Sequence, residues 1–470
     1  MSAKADLSTR AALIRNRLLA ASQRHVMAFW DELTVAQRAR LLADLESIPL
    51  DQLPDLVATH VAADGSLPLP SADRLEPVQP SALAGRQAAD AGDAMLARGE
   101  VAALTLAGGQ GTRLGFDGPK GAYPIGPVSG HSFFQLYAAS LRRVGNRFGK
   151  PVPWYVMTSR CNHAATVAYF EANAHFGLDA SDVFFFEQGQ MPCLTREGML
   201  VLADRDRLAL APDGHGGLIE ALGRSGALES MHDRGVCRVS CFQIDNPLVR
   251  CIDPVFLGMH AASGAQMSVK AVPKAHDTEG LGNVCMHGGR LRVIEYSDFP
   301  PDLASARNSD GAPRYRTGSI SIYVIEVAFV EALLAGGDGL PFHRAVKRQR
   351  QIDPSNGKPF EGEVLKLEKF LFDALTLADR ALVVETRRDE EFSPVKNLCG
   401  ADSPASAKRD MNERAARWLE AAGAKVPRDD RGEPAATLEI SPLLADSADA
   451  LAGVVDRGMR IEPGSFVYLR

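Results

Sequence analysis

The chain has 470 residues, of which 46% are hydrophobic and 23% are charged, and this composition predicts a globular protein of two or three domains. The formal net charge of −6 argues against a general binder of nucleic acid or of anionic membranes. The sequence contains no run of about 18 apolar residues, so no membrane span is predicted. The basic N-terminus lacks the continuous apolar stretch of a signal peptide.

The N-terminal part of the chain is predicted to be helical. Apolar residues between positions 8 and 62 recur at three- and four-residue spacing, which favours two or three amphipathic helices. A proline-rich connector from Ser66 to Leu83 follows, and a short helix is predicted near Ala84–Arg98. We assign residues 1–95 to an N-terminal helical lobe with its connector.

From Val101 onward, predicted strands alternate with predicted helices. This order implies a parallel-dominated sheet that is covered by helices on both faces. The predicted strands are Val101–Leu106, Val152–Thr158, Val183–Glu187 and Val236–Ile244, and the predicted helices are Ser132 to about Phe148, Cys161–Ala174, a helix that begins within Gly217–Gly223, and Pro254–Ala262. A capping box formed by Ser132 and Gln135 marks the start of the first of these helices.

The remaining third of the chain is more mixed. Its predicted elements are strand segments at Leu291–Ser297 and Thr317–Val330 around a polar loop at Asp302–Arg314, a helix at Leu365–Leu377, a strand at Ala381–Thr386 and a helix at Ala405–Ala422. We therefore assign residues 96–395 to a central α/β domain and residues 396–470 to a small C-terminal domain.

The segment Val101–Gly126 carries the clearest functional signal. Its buried strand is followed by Gly108, Gly109 and Gly111, and glycines let backbone N–H groups approach an anion closely. Arg113 and Lys120 then add two positive charges. Accessible backbone N–H groups beside a guanidinium and an ammonium predict a site for nucleotide phosphates. The alternative is an ordinary turn with solvated charges.

Neither common nucleotide motif fits this loop. The dinucleotide motif requires a glycine where Leu114 stands, and the P-loop requires Ser or Thr after Lys120, where Gly121 stands. The pattern L-x-G-G-x-G-T-R-L-G followed by P-K-G instead resembles the signature of the eukaryotic-type UDP-sugar pyrophosphorylases.

Polar residues follow other predicted strands, where ligands of open α/β sheets bind. Gln188 follows the strand FFFE and suits the edge of a uracil ring, although a satisfied loop glutamine is the alternative. Gly214 allows close approach of a ligand, and His215 is either a switchable donor or a structural histidine.

Four further positions carry charge. Asp245 ends a strand in FQIDNP, where a carboxylate could bind Mg²⁺ together with phosphate oxygens and water, or could simply cap a helix. Glu295 with Tyr296 suits a sugar. Lys366 and Lys396 are lysines whose default location is the solvated surface.

The resemblance extends from about Leu104 to Glu439 and assigns roles to these residues. It implies a Rossmann-like nucleotidyltransferase fold, similar to the GT-A fold, with a mixed sheet flanked by helices, a helical N-terminal lobe and a small C-terminal domain. The residues that it implies for the nucleotide are Leu106, Ala107, Gly108, Gly109, Lys120, Gln188, Gly214, Asp245 and Lys366; those for the sugar are His215, Glu295, Tyr296, Ser319 and Lys396.

The sugar is not settled by the sequence. The segments KAHDTEGLGNV and EYSD resemble the UDP-N-acetylglucosamine enzymes most closely. Two departures weaken that assignment: His215 replaces the Asn of a G-N-G-G run, as in the G-H-G-D of UDP-glucose and broad UDP-sugar enzymes, and Ser319 replaces the first Asn of G-N-I-A-N-H.

The reaction implied by the resemblance is UTP + sugar 1-phosphate → UDP-sugar + pyrophosphate, with Mg²⁺ held by Asp245. Because the attacking phosphate oxygen is already anionic, no general base is needed, and catalysis should consist of positioning and charge neutralisation by the metal, Arg113, Lys120 and Lys366. We expect UTP and a sugar 1-phosphate as partners, no nucleic acid or membrane, and a monomer or weak homo-oligomer.

Two other functions remain open at this point. A nucleotide-sugar glycosyltransferase could share the α/β layout, although Asp245 lacks the second carboxylate of a D-x-D pair. The second alternative is an inactive sensor of UTP or UDP-sugar. Such a sensor should lack the lysine and the arginine of the loop, and this chain has both. The seven scattered cysteines are typical of reduced thiols in the cytoplasm rather than of disulfides or a zinc site.

Overall fold

A computed structural model describes residues 3–62, 74–337 and 339–470, so residues 66–73 of the predicted connector lie outside the described residues. The helices are α1 (Ala3–Ala20), α2 (Val35–Glu46), α3 (Leu53–Val57), α4 (Arg86–Arg98), α5 (Phe133–Phe148), α6 (His163–Ala172), α7 (Leu218–Arg224), α8 (Ala227–Asp233), α9 (Pro254–Ser263), α10 (Pro301–Ala304), α11 (Val327–Gly336), α12 (Ala374–Leu377), α13 (Arg388–Glu391), α14 (Pro404–Ala421) and α15 (Ala448–Ala452).

The strands are short except in a long β-hairpin and in the centre of the main sheet. They are β1 (Leu75–Pro77), β2 (Ser81–Ala82), β3 (Val101–Leu106), β4 (Trp154–Thr158), β5 (Val183–Glu187), β6 (Gln190–Pro192), β7 (Leu202–Asp204), β8 (Arg207–Leu208), β9 (Leu210–Pro212), β10 (Arg238–Gln243), β11 (Met267–Pro273), β12 (Asn283–His287), β13 (Arg290–Ile294), β14 (Thr317–Glu326), β15 (Phe342–Ile352), β16 (Pro359–Lys369), β17 (Ala381–Glu385), β18 (Thr437–Ile440) and β19 (Phe466–Leu469).

The chain forms two compact units that differ from the predicted division. The first consists of Met1–Leu69, Gln188–Leu218 and Gly339–Leu371. The N-terminal helices are thus completed by two segments from the middle of the chain, because buried leucines of α2 share one hydrophobic cluster with Leu202, Leu208 and Leu365. The predicted boundary at residue 95 misses this arrangement, since such packing is non-local.

The second unit consists of Pro70–Glu187, Ile219–Asp338 and Phe372–Arg470. It therefore includes residues 396–470, which were predicted as a separate domain. This C-terminal segment does have a hydrophobic cluster of its own, in which Leu419, Leu438 and Leu451 are buried.

The main sheet of the second unit has the strand order β2-β17-β11-β14-β10-β3-β4-β5. The strands β10, β3, β4 and β5 are parallel, whereas β14 runs antiparallel to both of its neighbours, β10 and β11. The sheet is therefore mixed. All six residues of β3 are buried, as expected for a strand that is covered on both faces.

Local signals placed several elements correctly. The capping box of α5 is present, with Ser132 accepting from the Gln135 N–H and the Gln135 side chain accepting from the Ser132 N–H. The helix buries its aromatic face, including Phe133, Phe134 and Tyr137, and ends at Gly149 in the left-handed conformation.

Two element predictions were wrong. The segment Leu365–Leu377 was predicted as one helix, but its first part belongs to β16, which pairs with β15 over the full length of a long hairpin. The segment Thr317–Val330 is a strand only as far as Glu326, after which α11 begins. In both cases the apolar spacing fits a strand and a helix about equally well, and tertiary pairing decides between them.

Candidate active site

The glycine loop after β3 folds back on itself. The Gly111 N–H donates to the Gly118 carbonyl at 2.9 Å, and the Lys120 N–H donates to the Gly109 carbonyl at 3.1 Å. A side chain at Gly111 would clash with Phe116, whose nearest atom lies 2.7 Å from an ideal Cβ. Glycine is therefore required at this position, and the fold-back brings Lys120 beside the start of the loop.

The backbone donors at the start of the loop have no acceptor among the residues that the structure describes. Within the described part of the chain, no residue accepts a hydrogen bond from the N–H groups of Gly108, Gly109 or Gln110. Consecutive unpaired N–H groups form a concave site for an anion. This is the arrangement expected of a loop that binds phosphates.

The sheet places Asp245 next to this loop. Because β10 runs parallel to β3 with Gln243 opposite Leu106, the two strands end at the same level. The Lys120 Nζ donates to Asp245 Oδ2 at 3.1 Å, and only 14% of the lysine side chain and 11% of the aspartate side chain are exposed. The structure thus joins two predicted site residues that are 125 positions apart.

Lys396 is connected to the same region through the backbone. The Val395 N–H donates to the Asp245 carbonyl at 2.8 Å. Lys396 follows a buried run and is partly exposed, and its own N–H donates to the Asp402 carbonyl at 2.7 Å. Lys396 therefore follows a segment that is hydrogen-bonded to Asp245.

Arg113 is exposed on a single helical turn, Thr112–Leu114, within the loop.

Of the predicted sugar residues, Glu295, Tyr296 and Ser319 lie around one junction of strands in the second unit. Asn283 of β12 pairs with Ile294 of β13 and with Gly318 of β14. Glu295 and Ser319 directly follow two of these residues, so each lies beside the start of β12. Ser319 is only 6% exposed, whereas the neighbour of Glu295, Tyr296, is 54% exposed.

A β-bulge distinguishes this junction. The register between β11 and β14 shifts so that Ser319 and Ile322 face consecutive residues of β11, and Ser321, inside the bulge, has a φ of +56°. A left-handed conformation at a serine is strained, and such residues concentrate at binding sites. The sequence alone gave no sign of this bulge.

The first unit contains Gln188, Gly214, His215 and Lys366. Gly214 has a φ of +83°, and an ideal Cβ there would lie 2.3 Å from the Lys369 carbonyl oxygen, so the turn requires glycine. The Lys369 N–H donates to the Asp213 carbonyl at 2.7 Å, which ties the turn to β16. Lys366 lies on β16, opposite Ala345 of β15, not on a helix.

His215 has a structural role that the sequence left open. Its Nδ1 accepts a hydrogen bond from the Leu371 N–H at 3.0 Å, and its ring stacks on Phe370 with centroids 5.4 Å apart. Burial, aided by the nearby His343, lowers the pKa of His215 to about 4. His215 is therefore neutral at physiological pH and does not switch there; its contact with the sugar stays a prediction.

This pKa predicts a pH-dependent stability. The folded pKa lies below the unfolded value of about 6.5, so the stabilisation is complete above pH 6.5 and is lost as the pH falls toward 4. The size of the effect is up to about 3 kcal/mol. We expect the urea midpoint to fall less between pH 7.5 and pH 5 in His215→Gln than in the wild type. Equal falls in the two proteins would contradict the assignment.

Two residues of the site were missed by the sequence analysis. Ser159 and Asn162 follow β4, the neighbour of β3, and both contact the glycine loop. The rule that functional residues follow parallel strands could have found them. It was applied to the ends of β5 and β10 but not to the end of β4.

The described residues include no preformed metal-binding cluster, since no three His, Cys, Asp or Glu side chains among them are grouped to hold an ion. Mg²⁺ commonly binds through one or two carboxylates with phosphate oxygens and water, and Asp245 at the edge of the loop fits that donor set.

The seven cysteines are all free thiols, and no described helix is both long and apolar enough to cross a membrane.

Comparison with known proteins shows the family to which the chain belongs. Residues 67–402 match the family model described as UTP–glucose-1-phosphate uridylyltransferase. The chain is 37% identical to the UDP-N-acetylhexosamine pyrophosphorylase-like protein 1 of Homo sapiens, over 93% of each chain. It is 33% identical to UDP-N-acetylglucosamine diphosphorylase 1 of Arabidopsis thaliana, over 95% of this chain and 91% of that one.

A solved structure shares the fold. The crystal structure of the uridine diphosphate N-acetylglucosamine pyrophosphorylase of Trypanosoma brucei, in complex with an inhibitor, has a TM-score of 0.83 and 25% identity, and the match covers 98% of each chain. The predicted family and the predicted mixed α/β fold are thereby confirmed. The chain belongs to the UTP–glucose-1-phosphate uridylyltransferase family.

Proposed function

We propose that this protein transfers the uridylyl group of UTP to a sugar 1-phosphate, with release of pyrophosphate, and that N-acetylglucosamine 1-phosphate is its preferred acceptor. The observation that carries the proposal is the loop after β3. Its N–H groups at Gly108, Gly109 and Gln110 are unpaired among the described residues, and the Lys120–Asp245 pair lies at its edge.

The loop supplies what a triphosphate requires. Backbone N–H groups bind phosphate oxygens without bringing bulk, and Lys120 and Arg113 add positive charge. The net charge of the whole chain is negative, so these local groups have to supply the attraction. Gln188, Gly214 and Lys366 are the further nucleotide contacts that we propose from the family resemblance.

The chemical step is an in-line displacement. A phosphate oxygen of the sugar 1-phosphate forms a bond to the α-phosphorus of UTP, and the bond from that phosphorus to the bridging oxygen breaks, so that pyrophosphate leaves. The nucleophile is already anionic, so the site has only to position the two anions and neutralise their charge. Lys120 is placed to do this as the charge on the leaving group grows.

Mg²⁺ is the proposed cofactor, with Asp245 as its protein ligand. When bound, a divalent cation neutralises charge on the triphosphate that the lysine and arginine leave unmatched. The Lys120–Asp245 bond then has a second function, since it holds the carboxylate at the edge of the loop. The oligomeric state, a monomer or weak homo-oligomer, and the cytoplasmic location stay predictions.

The choice of sugar is supported by relatives named for UDP-N-acetylhexosamine or UDP-N-acetylglucosamine. Glucose 1-phosphate is the second candidate, because the matching family model is described by that substrate. The short side chain of buried Ser319 also differs from the asparagine that the resemblance implies for N-acetylglucosamine enzymes. Glu295, Tyr296 and Lys396 are proposed to contact the sugar phosphate in either case.

A substrate panel tests the proposal. Glucose, galactose, N-acetylglucosamine and N-acetylgalactosamine 1-phosphates are assayed with UTP and Mg²⁺ for release of pyrophosphate. We expect kcat/KM to be highest for N-acetylglucosamine 1-phosphate, and a preference for glucose 1-phosphate would support the second candidate. Binding of UTP without pyrophosphate release from any acceptor would contradict the enzymatic function, and hydrolysis of UDP-sugar alone would indicate a glycosyltransferase.

A further inference from the structure

Two buried side chains after β4 hold the glycine loop by its carbonyl groups. The Asn162 Nδ2 group donates to the Ala107 carbonyl at 2.8 Å and to the Gly109 carbonyl at 3.1 Å. The Ser159 hydroxyl donates to the carbonyl between them, Gly108, at 2.8 Å. Three successive carbonyls of the loop are thus bound from one side.

The two side chains are themselves fixed. Asn162 is 1% exposed and Ser159 is 2% exposed, so water does not compete for their hydrogen bonds. The Asn162 Oδ1 accepts from the Ser159 N–H at 2.8 Å. This bond determines which way the amide points, and it leaves the Nδ2 hydrogens for the loop.

Because a trans peptide is planar, these hydrogen bonds to the carbonyls also fix the direction of the N–H groups on the opposite side of the loop. In a trans peptide, the C=O of one residue and the N–H of the next point in opposite directions. Binding the carbonyls of Ala107 and Gly108 therefore directs the N–H groups of Gly108 and Gly109 away from Ser159 and Asn162. The same holds for the Gly109 carbonyl and the N–H of Gln110. These are the N–H groups that no described residue accepts.

We propose that Ser159 and Asn162 are positioning residues that preorganise the loop for the phosphates of UTP. They act through the loop backbone and do not touch the nucleotide. A loop that is held in this way loses little conformational freedom when the nucleotide binds, so more of the binding energy is retained. The inference rests on the proposed function, because it presumes that the ligand is UTP.

Asn162→Ala and Asn162→Asp test the inference. Alanine removes the amide, whereas aspartate keeps its shape but replaces the Nδ2 donors with an acceptor. We expect the affinity for Mg–UTP, measured by calorimetry, to fall about 10–100-fold in both variants, by analogy with the groups that orient the protein ligands of a metal ion. In steady-state assays the KM for UTP should rise, while the KM for the sugar 1-phosphate at saturating UTP changes less than about threefold.

Two further variants separate positioning from general destabilisation. Ser159→Ala removes a single hydrogen bond to the loop, so it keeps the test open if a change at Asn162 prevents folding. Thr158→Val is the matched control, since Thr158 is a buried hydroxyl on the same segment that bonds to His163 and to the Phe186 carbonyl instead of the loop. We expect Ser159→Ala to weaken UTP binding and Thr158→Val to lower the thermal midpoint without weakening UTP binding.

The outcomes distinguish the inference from the function on which it rests. Wild-type affinity for Mg–UTP in the folded Asn162 and Ser159 variants would overturn the inference and leave the proposed function intact. An equal loss of affinity in Thr158→Val would also overturn it, since the effect would then be one of stability. If the wild type itself does not bind Mg–UTP, both the inference and the proposed function fail.

Discussion

Lys120→Ala should lower kcat by about 10²–10³, the cost typical of removing one preorganised charge from a transition state. The Nζ of Lys120 lies 3.1 Å from Asp245 Oδ2, which holds the lysine at the edge of the glycine loop. Its backbone N–H donates to the Gly109 carbonyl. Its side chain therefore has a fixed position before any substrate binds. Turnover at saturating UTP and sugar 1-phosphate, with Mg²⁺ held constant, measures the loss.

Lys150→Ala is the matched control for this substitution. Lys150 is an exposed lysine that donates to the Arg98 carbonyl at 2.9 Å, so its loss removes a charge and one hydrogen bond without touching the loop. Turnover of this variant should be unchanged. Near-wild-type turnover of Lys120→Ala, with both proteins folded by circular dichroism, would contradict the role assigned to Lys120.

Lys270→Met should cost about 3–5 kcal/mol of stability, the range for removing one partner of a buried ion pair. Lys270 lies on β11 and is fully buried. Its Nζ donates to Asp253 Oδ2 at 2.5 Å and to both carboxylate oxygens of Glu391, at 2.6 and 2.7 Å. Burial acts to raise the pKa of Asp253, but Lys270 and Arg250 outweigh it and hold that pKa well below its usual range.

The loss of stability would come from the carboxylates of Asp253 and Glu391, which stay buried after Lys270 is removed. Without Lys270, the two negative charges remain buried with too little compensation. The double variant Lys270→Met, Glu391→Gln should therefore be more stable than Lys270→Met alone, because a neutral amide is less costly to bury. Thermal and urea unfolding midpoints measure both effects.

An exposed ion pair provides the control for this experiment. Arg409 is 61% exposed and lies 3.4 Å from Asp410, so Arg409→Ala should change stability by less than about 0.5 kcal/mol. A loss of similar size in Arg409→Ala and Lys270→Met would contradict the account of the buried cluster. So would a double variant that is less stable than the single one.

The buried cluster also connects two segments of the site. The Glu391 carbonyl accepts from the Asn246 amide at 2.6 Å, and Asn246 directly follows Asp245. Farther along the same segment, the Val395 N–H donates to the Asp245 carbonyl. The charged core around Lys270 thus stabilises the backbone that carries Asp245 and precedes Lys396.

The sequence predicted what local patterns determine. The glycine loop, the strand Val183–Glu187 and the capping box of α5 each depend on neighbours within a few residues, and the structure has them as expected. Asp245 was predicted to lie near the loop because parallel strands end at one edge of a sheet. Its ion pair with Lys120 follows from the register of β3 and β10.

Non-local packing accounts for what the sequence did not predict. The cluster around Lys270 depends on Asp253 and Glu391, which are 17 and 121 positions away, and no spacing rule joins such residues. The β15–β16 hairpin was read in part as a helix because its pairing partner was not recognised. Ser159 and Asn162 follow a parallel strand, which a sequence can indicate, but their hydrogen bonds to the loop carbonyls depend on the pairing of β3 with β4.

A crystal structure of the protein with UTP and Mg²⁺ is the most direct test of the central claim. The phosphate oxygens should lie within about 2.7–3.2 Å of the Gly108 and Gly109 nitrogens, with the carbonyls of the loop still bound by Asn162 and Ser159. Phosphates bound elsewhere, or loop N–H groups that have turned to bond with the protein, would contradict it.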